Sequence, residues 1–67
     1  MLNNFAVVYG IPNGDDYSEF FKDLKHAYMK ADNIYRHLTP REKKERYLRI
    51  SIIDEDFNEL ETIKEYL

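Results

Sequence analysis

The sequence predicts a small α+β domain in β-α-β-β order, with one long amphipathic helix packed on a three-stranded sheet and a short helical turn at 40–45. Three observations lead there. An apolar stripe at helical spacing runs from Tyr17 to Leu38. Phe5–Ile11 and Tyr47–Ile53 alternate in side-chain size or polarity, as strands do. The chain has 67 residues, enough for one domain (1–67) with one core, and so one helix must find one sheet.

Taken in order, Phe5, Val7, Tyr9 and Ile11 alternate with small or β-branched residues and read as a first, mostly buried strand. Ile11-Pro12-Asn13-Gly14 then supplies turn chemistry: proline presets φ, and Asn and Gly tolerate positive φ. Asn-Gly also signals hairpins, but the residues after it open a helical pattern, so the expected turn leads from strand to helix. In that helix the stripe is Tyr17, Phe20, Phe21, Leu24, Ala27, Tyr28, Ala31, Ile34, Tyr35 and Leu38. Asp16 with Glu19 suggests a capping box, and Thr39, before Pro40, marks the end. A helix of this length spans about 33 Å.

Thr39-Pro40-Arg41-Glu42 is a second start signal, with Thr39 as cap, Pro40 at the first helical position and Glu42 completing the box. Lys43-Lys44-Glu45 adds no apolar face, so the element is one exposed turn or little more. From Tyr47 to Ile53, Leu48, Ile50 and Ile52 share one face and Arg49 and Ser51 the other, a half-buried strand. The C-terminal segment reads two ways. Phe57, Leu60, Ile63 and Leu67 recur at helical spacing, and Asp56 with Glu59 would cap a helix. A helix there leaves only two strands, which are marginal alone. Thr62-Ile63 also favours a strand, so Asp54–Asn58 is read as a hairpin loop and the tail as a third strand.

Composition narrows the function classes. There is no cysteine, which removes disulfides and thiolate metal sites and fits a reducing, cytoplasmic setting. Met1-Leu2-Asn3-Asn4 lacks the basic start and apolar core of a signal peptide, and the longest apolar run, Phe5–Tyr9, is far shorter than a membrane span. Two glycines cannot build a phosphate-cradling loop, and neither Ser18 nor Ser51 lies in a nucleophile elbow. Carboxylates are plentiful, but a core filled by one helix leaves little room for the desolvated cleft a general acid needs. The expectation is a protein that is not an enzyme and takes no cofactor.

Two metal patterns fall short of a site. Asp54, Asp56, Asn58, Leu60, Thr62 and Glu65 occupy the ligand positions of an EF-hand loop, but Glu59 stands where that loop needs glycine and Glu61 where it is usually aliphatic. His26 and His37 would lie about 16 Å apart along one helix side, too far to share a metal.

The run Ala27-Tyr28-Met29-Lys30-Ala31, Ile34 to Lys44, and then Thr62-Ile63-Lys64-Glu65-Tyr66, resembles small uncharacterised proteins of phages and mobile elements in Gram-positive bacteria. In those, a helix with spaced alanines ends in a Leu-Thr-x-x-Glu-Lys-Lys turn followed by strands. The resemblance implies a genomic setting in which inhibitors of host defence or of host enzymes are common. Where such relatives carry glycine in the acidic loop, this chain carries Phe57.

The net charge of −3 is sharply partitioned: −2 over 1–35, +4 over 36–49 and −5 over 50–67. With ten Tyr and Phe residues, more than a small core can hide, this points to a protein-binding module. The expected contact set is Asp54, Glu55, Asp56, Glu59, Glu61 and Glu65, a carboxylate array suited to a basic groove on a host protein, as an anti-CRISPR or anti-restriction type of inhibitor would use. The alternative is a nucleic-acid surface made of Arg36, Arg41, Lys43, Lys44, Arg46, Tyr47 and Arg49. A third reading is a subunit that completes its core with a second copy.

Overall fold

Strand β1 (Phe5–Gly10) is apolar on both faces: Val7 is fully buried on one and Ala6 and Val8 are buried on the other. Such a strand belongs at the centre of a sheet with a neighbour on each side. In the computed structural model, which describes residues 4–67, those neighbours are β2 (Asp16–Phe21) and β3 (Tyr47–Ile53), and β4 (Glu59–Glu65) pairs outside β3. The sheet is wholly antiparallel, in the order β2-β1-β3-β4. Helices α1 (Leu24–His37) and α2 (Pro40–Glu45) connect the two hairpins.

The α+β class, the strands around Phe5 and Tyr47, the turn at 40–45 and the tail strand all follow the sequence. The layout does not: the described residues form four strands rather than three, and the helix begins at Leu24, not Tyr17. Tyr17, Phe20, Phe21 and Leu24 satisfy helical spacing, but Tyr17–Phe21 instead pairs with β1, setting Tyr17 opposite Tyr9 and Phe21 opposite Phe5. Aromatic cross-strand pairs of this kind stabilise a sheet, and a central β1 needs the partner. The turn is accordingly a hairpin. The Gly14 amide donates to the Ile11 carbonyl at 2.9 Å, with Pro12 second and Asn13 at φ 62, the type II arrangement.

The expected Asp16–Glu19 box gives way to Asp23, whose side chain accepts from the His26 amide at 2.8 Å and caps α1. Asn33's carbonyl takes the His37 ring, so the two histidines serve the helix ends separately. At α2 the Thr39–Glu42 capping box forms as expected, with proline at the start. Fourteen residues make α1 about 21 Å long. Ala27 and Ala31, both fully buried, let α1 approach Val7, Leu48 and Ile50 closely, and Phe5, Tyr9, Phe21, Leu24, Tyr28, Ile34, Tyr35, Ile63 and Tyr66 close the margins. Across the described residues no helix is long and apolar enough to cross a membrane.

Candidate functional site

Alternation along β1 and β3 sends Ala6, Val8, Tyr47, Arg49, Ser51 and Ile53 to the face away from α1. Among the described residues no helix covers this face, and two features on it bear on function.

The first is the loop between β3 and β4. Asp54 organises it: one carboxylate oxygen accepts from the amides of Asp56 and Asn58, both at 2.9 Å, and the other from the Asn58 side-chain amide at 3.3 Å. Backbone bonds from Phe57 to Asp54 and from Asp54 to Asn58, each 3.1 Å, close a three-residue loop. The amide of Asn58, ahead of its side chain and of Asp56, holds the Asp54 carboxyl below its ordinary range. A three-residue hairpin loop needs a left-handed residue last, normally glycine. Here that residue is Phe57, at φ 65. Its ring packs on Phe20 with centroids 4.6 Å apart and planes tilted by 44°. Both remain in water, Phe57 56% exposed and Phe20 37%.

The second feature joins β3 to β4. Arg49 grips Glu59 with Nε and Nη2, and the Ser51 hydroxyl, on a fully buried residue, donates to the same carboxylate at 2.7 Å. Arg49 and then Ser51 hold the Glu59 carboxyl below its ordinary value against partial desolvation. The guanidinium also lies 5.2 Å from the Tyr47 ring centre. A carboxylate so fully paired is a structural tie, the opposite of a poised general acid.

The structure does not gather the six acidic residues into one array. Asp54 is consumed by its loop, and Glu55 and Asp56 stand at the tip beside Phe57. Glu59, Glu61 and Glu65 do come together, lining one open surface groove with Arg49. The basic residues are likewise dispersed. Arg41 pairs with Glu45 at 3.0 Å, Arg46 with Glu42 at 3.2 Å and with the Tyr9 hydroxyl, and Arg49 with Glu59. Lys43 lies 4.1 Å over the Tyr35 ring, on the α2 side, while Tyr47 and Arg49 are on the open face. Arg36 sits in the last turn of α1, and Lys44 is exposed.

Phe20 and Ser51 were not legible as site residues, the first because it fitted the helical stripe. Phe57 left a signal, a bulky side chain where a hairpin loop calls for glycine. Among the described residues no group of three His, Asp or Glu side chains is placed to hold a metal ion. No family model, curated protein or solved structure matches this chain.

Proposed function

We propose that this chain is a non-enzymatic protein-binding module whose anchor is Phe57 stacked on Phe20. One observation carries the reading: Phe57 is a bulky residue in the left-handed region with more than half of its surface in water. That conformation costs about 1–2 kcal/mol, and glycine would remove the cost without opening the core. A strained aromatic side chain retained on the surface is explained by what it touches in a complex. Buried aromatic anchors dominate protein interfaces.

Glu55 and Asp56 precede the anchor in the same loop, so the ring arrives flanked by carboxylates. The complementary partner surface is an apolar pocket rimmed by lysine and arginine. In its finer form the reading is an inhibitor of the phage type, set against a defence or nucleic-acid enzyme whose phosphate-binding groove offers those cations.

The test is capture from a bacterial lysate, with identification of the retained protein and repetition with variants. Phe57→Gly, and separately Glu55→Lys with Asp56→Lys, are expected to lose it. Arg41→Glu with Lys44→Glu is expected to keep it. Retention by Phe57→Gly overturns the anchor. Salt-sensitive binding to bare DNA or RNA, lost with the Arg41 and Lys44 changes, would move the function to the basic stretch.

A further inference from the structure

We propose that β2 is a pairing edge whose occupant is β2 of a second copy of this chain, joined antiparallel about Ser18. The two edges of the sheet differ. β4 carries two register shifts against β3, irregularities that turn an edge away from further pairing. β2 pairs with β1 over six consecutive positions without a shift, and contains neither proline nor lysine. Most of it is exposed, Tyr17 and Phe20 included. An edge that pairs without a shift and carries no proline is a template for another strand.

The ladder shows which groups wait there. In antiparallel pairing, alternate residues direct both backbone groups to the same neighbour. The Ile11 amide reaches the Asp15 carbonyl and the Asn4 amide the Phe21 carbonyl, so the odd-numbered residues of β2 bond to β1. The backbone groups of Asp16, Ser18 and Phe20 therefore face outward. A symmetric pairing must match these even positions with one another.

Centred on Ser18, the register sets Asp16 opposite Phe20 of the copy and Tyr17 opposite Glu19 of the copy, and no like charges meet. The Tyr17 hydroxyl already donates to Glu19 within the chain, and Lys30 lies 3.7 Å from the same carboxylate, so Glu19 enters the seam with its charge offset. Centring on Glu19 instead would oppose two carboxylates, which is unfavourable. Centring on Phe20 would leave Asp16 without a partner. The two-fold axis at Ser18 stands perpendicular to the sheet, so both α1 helices fall on one face and both Phe20–Phe57 pairs on the other.

Light scattering or sedimentation across a dilution series tests this. The wild type is expected to show the mass of two chains, falling to one on dilution. Ser18→Pro removes an amide that the ladder directs away from β1, a tolerated position for proline at an edge. It is expected to be monomeric throughout with an unchanged circular dichroism spectrum. Ser18→Lys places two ammonium groups across the axis and is expected to weaken association about tenfold or more, recovering with salt. A wild type that is monomeric at the highest concentration overturns the proposal. So does a dimer that survives both Ser18 variants, or one lost with Phe57→Gly but kept by Ser18→Lys. Should Ser18→Pro fail to fold, the lysine variant decides.

Discussion

Arg49 holds Glu59 through both carboxylate oxygens, Nε to one and Nη2 to the other, each at 2.8 Å. The pair crosses from β3 to β4 beside two register shifts, where the ladder is irregular. A bidentate fork fixes position as well as charge, so it secures the strand at the place where backbone pairing is weakest.

The pH dependence follows from that pair. Glu59, Glu42, Asp23 and Asp54 all have carboxyls held below their ordinary values, by Arg49, by the Thr39 amide, by the His26 amide and by the Asn58 amide respectively. A depressed folded-state pKa gives stability that is complete above the unfolded value and is lost as pH falls towards the folded one. The melting temperature should therefore be flat near neutrality and drop below about pH 4. Glu59→Gln should lower it at neutral pH and make the acid drop shallower, a difference held under about 1 kcal/mol by solvent screening. An equal acid slope in both proteins would remove Glu59 from the account.

Ile50 has no exposed surface and packs beneath Ala27 and Ala31. Ile50→Ala should cost about 2–5 kcal/mol in urea unfolding, enough to unfold most small domains. Leu24→Ala, at the margin of the same cluster, should cost less. The opposite order would place the core elsewhere.

At Phe57 two effects nearly cancel. Glycine relieves about 1–2 kcal/mol of backbone strain and forfeits about 0.5–1.5 kcal/mol of ring pairing. Phe57→Gly should leave stability almost unchanged, whereas Phe57→Ala keeps the strain, loses the ring and should melt lower. Equal melting of the glycine and alanine variants would mean that the loop carries no strain.

Gly10 ends β1 under the Tyr47 hydroxyl. A Cβ there would sit 2.8 Å from that oxygen, from the Asp15 carbonyl and from Asp16 Cα. Two of these are backbone and cannot rotate away. Gly10→Ala should destabilise the β1–β2 hairpin measurably, and hydrogen exchange at the Ile11 amide should quicken before that of β3.

The sequence was legible where one local rule acts alone. Thr39-Pro40-Arg41-Glu42 encodes its cap in four residues, and it forms. Tyr47–Ile53 alternates without competition, and its limits match. Tyr17–Phe21 was not legible, because Tyr17, Phe20, Phe21 and Leu24 satisfy a helical period while the deciding interaction, pairing with Phe5 and Tyr9, lies outside that window. The clue was in β1 itself, apolar on both faces and so in need of two neighbours. The acidic tail misleads for a similar reason. Crowding in sequence says nothing of the loop, which takes up Asp54 and holds Glu55 and Asp56 at its tip, away from the groove that Glu59, Glu61 and Glu65 line.

The strand order has a kinetic meaning. β1 with β2, and β3 with β4, are neighbours in sequence, and each can zip from its own turn. The seam between β1 and β3 is different: it joins Val7 to Ile50 across most of the chain, and its closure must precede the burial that rewards it. Two early hairpins meeting at one late seam, with α1 docking over it, is the folding order this topology favours. Substitutions at Val7 and Ile50 should then slow folding, while those at the Phe57 tip should act mainly on how fast the protein comes apart.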